Sequence, residues 1–156
     1  MSFNVYVTRQ ILEEGIHLLK KHCQTVEVNP FDSPLTYDEL LRQVKGRDAI
    51  LTMLSDKIDA HLINEATYPC LKHTGTSLRI IANYAVGYDN IDVKAATAKG
   101  IVVTNTPGVL TDSTADMAWA LLFAISRRIV EGDKLTRAGK FVGWEPMLLL
   151  GGDLME

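Results

Sequence analysis

The sequence predicts an α/β fold, a five-stranded parallel sheet flanked by helices, and three observations carry that expectation. Short apolar segments alternate with helix-period segments over the first two thirds of the chain. This is the pattern of strand–helix–strand units with right-handed crossovers. The short segments are apolar along their whole length, as strands of a sheet covered on both faces are. A glycine turn at Gly87 leaves the end of one such strand, the place where α/β proteins put small ligands.

The elements follow in order. Phe3 to Val7 alternates and is β-branched enough for a first strand. Ile11, Ile16, Leu18 and Leu19 then recur at helical spacing, so residues 9–22 form a helix. Gln24 to Val28 is the second strand, and Asn29-Pro30 and Ser33-Pro34 mark a loop. Thr36-Tyr-Asp-Glu39 has capping-box form and opens a helix over 37–45, stopped at Gly46. Ala49 to Met53 is the third strand. Asp59 opens a helix that ends before Pro69. Leu78 to Ala82 is the fourth strand, Asp92 to Lys99 a short helix closed by Gly100, and Ile101 to Thr104 the fifth strand.

The last third differs. Thr111 or Ser113, with Asp116 completing the box, caps a helix predicted over 112–137, roughly 40 Å at 1.5 Å per residue. Met117 to Ile125 is apolar on every side of that helix. A helix of this kind has to be covered all round, and one sheet face does not do that. It calls for a second domain or a second subunit. The tail from Trp144 to Glu156 carries Met147-Leu-Leu-Leu150 and Gly151-Gly152 and shows no evident partner within the chain.

Composition narrows the function. At 156 residues the expectation is one domain with room for an extension. A net charge of -3 without a basic run argues against nucleic acid or an anionic membrane surface as partner. Cys23 and Cys70 are too few for a disulfide framework. The N-terminus lacks the regions of a signal peptide, and the longest apolar run is too short to span a bilayer. A cytoplasmic protein is the expectation.

Three runs resemble one family. They are Asn83-Tyr-Ala-Val-Gly-Tyr-Asp-Asn-Ile-Asp92, Thr104-Asn-Thr-Pro-Gly-Val-Leu-Thr-Asp-Ser-Thr-Ala-Asp116 and Trp119-Ala-Leu-Leu-Phe-Ala-Ile-Ser-Arg-Arg128. They are similar to the substrate domain of the D-isomer-specific 2-hydroxyacid dehydrogenases, especially the glyoxylate and hydroxypyruvate reductases. The likeness is weaker over residues 1–78, and residues 66–77 look longer than the usual connection. It implies a flavodoxin-like substrate lobe over 1–104, then over 105–156 a long inter-domain helix and the start of a Rossmann nucleotide domain. It implies NAD or NADP as cofactor, a small 2-oxo or 2-hydroxy acid as substrate, and a dimer through the 112–137 helix. The general-acid His, its Glu partner, the substrate Arg and the G-x-G-x-x-G turn would lie beyond residue 156. The expectation is a truncated member with no catalysis and no cofactor bound on its own.

Candidate site residues are few. Val86 and Gly87 offer successive backbone N–H groups at a strand end, with no Cβ at Gly87 to block approach. By resemblance they hold the substrate carboxylate; otherwise they are a tight turn. Leu54 and Ser55, after the third strand, line the same crevice or form an ordinary loop. Thr114 lies near the nicotinamide by resemblance, while as a helix cap it needs no cofactor. None of His17, His22, His61 and His73 matches a catalytic position of the family. Cys70-x-x-His73 with His22-Cys23 lacks the paired spacing of a metal site, so none is expected. A receiver-type signalling domain would want acids after its first strand and a phosphoacceptor Asp after its third. Val7-Thr-Arg9 and Thr52-Met-Leu-Ser55 supply neither, with Asp56 nearby. The alternative to an oxidoreductase fragment is a non-enzymatic module that pairs through the 112–137 helix. An aggregation-prone product of a truncated gene is a third reading.

Overall fold

The computed structural model describes residues 3–67 and 78–153, which form two compact units, Met1–Gly108 and Val109–Glu156. Cys70 and His73 lie outside the described residues.

The first unit alternates strands and helices. In order these are β1 (Asn4–Val7), α1 (Glu13–His22), β2 (Thr25–Val28), α2 (Tyr37–Val44), β3 (Ala49–Thr52), α3 (Ala60–Thr67), β4 (Ile80–Asn83), α4 (Val93–Ala98) and β5 (Val102–Thr104). All pairings are parallel and the strand order is β2-β1-β3-β4-β5. The expected five-stranded sheet is therefore present, with its first crossover turning one way and the next three the other.

Local chemistry sets the helix ends. Thr36 and Glu39 make both halves of the capping box predicted for α2. Asp92 accepts from Ala95 N at 2.9 Å and caps α4, and Gly100 follows at φ +70°, a left-handed conformation that costs a glycine little.

Packing is unequal on the two faces. Tyr6, Ile50 and Ile81 point one way and are buried with Leu40 and Val44 of α2, Leu62, Ile63 and Ala66 of α3, and Ala96 of α4. Val5, Ala49, Ile80 and Val102 share a register row on the other face. There Val5 is buried and Val102 is 56% exposed. The expectation of a sheet covered on both faces thus holds for one face. On the other, strand apolarity outruns the cover present among the described residues.

The second unit departs from the sequence reading in three ways. The helix expected over 112–137 is two helices, α5 (Thr111–Ser126) and α6 (Ile129–Arg137). Arg128 adopts φ +53° between them, which an α-helix does not tolerate, so the path breaks. The cap is also different. Leu110 is the N-cap and no side chain bonds the exposed N–H groups; Thr111 and Ser113 are already inside the first turn. The tail, finally, has a partner within the chain. Gly152 N donates to Ser126 O at 3.0 Å, Arg127 pairs with Asp153, and a Cβ on Gly132 would meet Leu149 Cδ1 at 3.4 Å. Periodicity does not reveal such a return, because it rests on backbone contacts at a joint.

Candidate functional site

β3 and β4 are neighbours in register, with Thr52 opposite Asn83, so the turns leaving their carboxyl ends emerge side by side. The β3 turn carries Leu54 and Ser55; the β4 turn carries Val86 and Gly87. Leu54 and Gly87 meet: a Cβ built on Gly87 would lie 3.7 Å from Leu54 Cδ2. Ser55 also faces away, lining an open cleft of about 410 Å³ with Leu35, Tyr37, Lys57, Asp59 and His61. That cleft does not include Val86 or Gly87. Thr114 belongs to the second unit, where its N–H donates to Leu110 O at 2.9 Å as an ordinary helical bond.

Gly87 has no backbone need to be glycine. It is not among the residues at positive φ, and a Cβ there would make only ordinary contact with Leu54. Neither the backbone nor the packing of the turn therefore demands glycine at this position.

The turn's hydrogen bonds hold its carbonyls toward residues 105–106. Ala85 O accepts from Thr106 N at 2.9 Å, and Val86 O accepts from Asn105 Nδ2 at 2.7 Å. The N–H groups of those two peptide units belong to Val86 and Gly87. Neither is a donor in a hydrogen bond among the described residues. Val86 itself is 43% exposed. Two adjacent N–H groups at this strand end are thus without a hydrogen-bond acceptor among the described residues.

A polar network absent from the sequence reading holds the two turns together. Asn90 Nδ2 donates to Met53 O and Asp56 O, both at 3.0 Å. Asn83 Nδ2 donates to Gly87 O at 2.8 Å and to Asn90 Oδ1 at 3.1 Å, and its Oδ1 accepts from Thr52 Oγ1 at 2.9 Å. Asp56 accepts from Met53 N at 2.8 Å and from Thr8 Oγ1. Ile58 and Ile91 add an isolated parallel bridge. Thr8, Thr52, Asp56 and Asn83 are buried, and a buried polar group left unpaired is costly. Their only signal in the sequence is polar residues closing apolar strands.

Electrostatics at the neighbouring cleft are local. The Tyr37 hydroxyl donates to Asp59 Oδ1 at 2.7 Å. Burial, and then this bond, push the Tyr37 hydroxyl up to about 12. Asp59 accepts from Leu62 N and from Tyr37, and these bonds hold its carboxyl below the ordinary carboxylate value.

Comparison with known proteins agrees with this architecture. The D-isomer specific 2-hydroxyacid dehydrogenase catalytic domain matches residues 5–132. The glyoxylate reductase of Thermococcus kodakarensis is 48% identical over 158 residues, covering 99% of this chain and 44% of the relative. That of Aeropyrum pernix is 45% identical over 154 residues, covering 96% and 43%. Among solved structures, a protein of Thermus thermophilus superposes with a TM-score of 0.80 at 39% identity, covering 97% of this chain and 45% of that one. A glyoxylate reductase from Paecilomyes thermophila does so with a TM-score of 0.70 at 26% identity, covering 97% and 45%. The chain spans less than half the length of these relatives. It belongs to the D-isomer specific 2-hydroxyacid dehydrogenase family, through that family's catalytic domain.

Proposed function

We propose that the first unit is the carboxylate-holding half of an NAD(P)-dependent oxidoreductase of glyoxylate reductase type. Val86 and Gly87 supply N–H donors to the carboxylate of a small 2-oxo or 2-hydroxy acid, and the β3 turn that carries Leu54 and Ser55 lies beside them, with Leu54 against Gly87. The observation that carries this reading is Gly87. Neither its φ nor its packing requires glycine, whereas an anion approaching two bare N–H groups does.

Reduction of a 2-oxo acid also needs a hydride donor and a proton donor in reach of the carbonyl. The 156 residues contain no G-x-G-x-x-G. We therefore expect these residues by themselves to seat a carboxylate weakly and to turn over nothing. Thr114 is assigned to the nicotinamide side of the complete site on family likeness alone. The reduced cofactor, NADH or NADPH, would supply the hydride in the complete site; this chain's part is to orient the acid.

The test is glyoxylate titration of the 156-residue chain, followed by amide NMR. Shifts at Val86 and Gly87 are expected, and Gly87→Ala should abolish them with stability changed by less than ~0.5 kcal/mol, since the site accepts a methyl group. Unperturbed Val86 and Gly87 amides would overturn the reading. So would NADH-dependent glyoxylate reduction by the purified chain, which would place a complete site within these residues.

A second reading rests on α5. None of its residues is buried, and Trp119, Leu121, Phe123 and Ile125 are all exposed. A helix of this composition pairs with a second apolar surface. Homodimerisation, or pairing with a longer relative, through residues 112–137 follows from it.

A further inference from the structure

We infer that Asn105 is a positioning residue of the carboxylate seat: its carboxamide fixes the peptide plane from which the Gly87 N–H projects. This rests on the reading of Val86–Gly87 as an anion seat. Asn105 lies just past β5 and reaches back 19 residues, its Nδ2 donating to Val86 O at 2.7 Å. The Val86 carbonyl and the Gly87 N–H are two ends of one planar peptide unit. Holding the carbonyl on the β5 side aims the N–H the opposite way, and no acceptor among the described residues takes it up. Thr106 N holds the preceding unit through Ala85 O at 2.9 Å, which aims the Val86 N–H in the same manner.

The bond does more than orient. A carbonyl that accepts a hydrogen bond polarises its own N–H, and chains of such bonds strengthen one another. The Gly87 N–H is thus the better donor while Asn105 is in place. On the far side, Asn83 Nδ2 grips Gly87 O at 2.8 Å, so the glycine is flanked by two peptide units, each with its carbonyl held by an asparagine. A donor array set before its anion arrives loses little freedom on binding, which is where affinity and catalytic placement come from.

The residue type matters. Asn105→Asp keeps the shape but turns an oxygen toward Val86 O, removing the donor. Asn105 is half-buried on a connecting segment and takes no part in the core cluster, so its loss falls on the turn rather than on the fold.

The experiment titrates glyoxylate into isotope-labelled wild type, Asn105→Asp and Asn105→Ala, with Ile50 and Ile81 amides as controls for the core. Both variants should bind glyoxylate about tenfold more weakly, the equivalent of one ordinary hydrogen bond. The Val86 carbonyl carbon and Gly87 amide nitrogen should shift in the ligand-free variants, a signature that general loosening does not produce. Wild-type binding matched by both variants overturns the role of Asn105 and leaves the carboxylate seat standing. Absent wild-type binding overturns the seat and this role together. Should the variants fail to fold, a through-bond coupling between Asn105 Nδ2 and Val86 C′ in wild type that strengthens with glyoxylate supports the role. Its absence overturns it.

Discussion

Tyr37 and Asp59 are 22 residues apart and share one short hydrogen bond, and their titrations run in opposite directions. A tyrosine raised toward about 12 keeps its proton in the folded chain after the unfolded chain has lost it near 10. Unfolding then releases a proton, so stability present below pH 10 declines as pH rises toward 12. Asp59 is lowered, first by the Leu62 N–H and then by Tyr37. Its contribution is present above the ordinary carboxylate value and is lost as pH falls through the folded one. Tyr37→Phe should cost ~1 kcal/mol at neutral pH and flatten the alkaline decline, as read by urea unfolding across pH. An unchanged alkaline slope would show that another group sets it. The site residues differ in how far the sequence exposed them. Val86 and Gly87 stand out because a glycine leaving a strand has a recognised meaning. Asn83, Asn90 and Asn105 do not, because an asparagine is equally at home in any turn. Its role depends on which carbonyls lie within hydrogen-bond reach once the strands are aligned.

At the scale of elements, the strands and the first four helices follow from period and capping, which are local properties. Thr36 and Glu39 are three residues apart, so the box is legible without the fold. The joint between α5 and α6 is not local. Arg128 in the left-handed region has no compositional mark, and residues 150–153 contact the joint at Ser126, Arg127 and Arg128. Gly151 shows how tight that return is, since a Cβ there would collide with Ser126 O. Gly151→Ala should therefore detach the tail. The Gly152 amide, held by Ser126 O at 3.0 Å, should be protected from hydrogen exchange in wild type and exchange about tenfold faster or more in the variant. Such local opening leaves the sheet untouched. Equal protection in both would mean that the tail docks by other contacts.

For the whole molecule, the open question is what covers the apolar surface. Trp119 and Phe123 pair their rings at 6.1 Å while both stay about half exposed. Exposed apolar area of that kind motivates the pairing reading proposed for α5. The chain is expected to self-associate at micromolar concentrations, and Leu122→Glu with Ile125→Glu should weaken that by roughly tenfold or more while keeping helix propensity. Sedimentation equilibrium reads both; a monomeric wild type would remove the pairing reading and leave the carboxylate seat unaffected.

By itself the sequence determined the α/β class, the strand and helix succession of the first unit and the family, because hydrophobic period, caps and the run from Asn83 to Asp92 are properties of neighbours along the chain. It also singled out the turn at Val86 and Gly87. Only the tertiary structure decided that the glycine there is bare without conformational need, that two asparagines grip the carbonyls around it, and that the tail returns to the α5–α6 joint. Each of these depends on atoms brought together from 4 to 26 residues apart, and a separation of that kind carries no periodic signal.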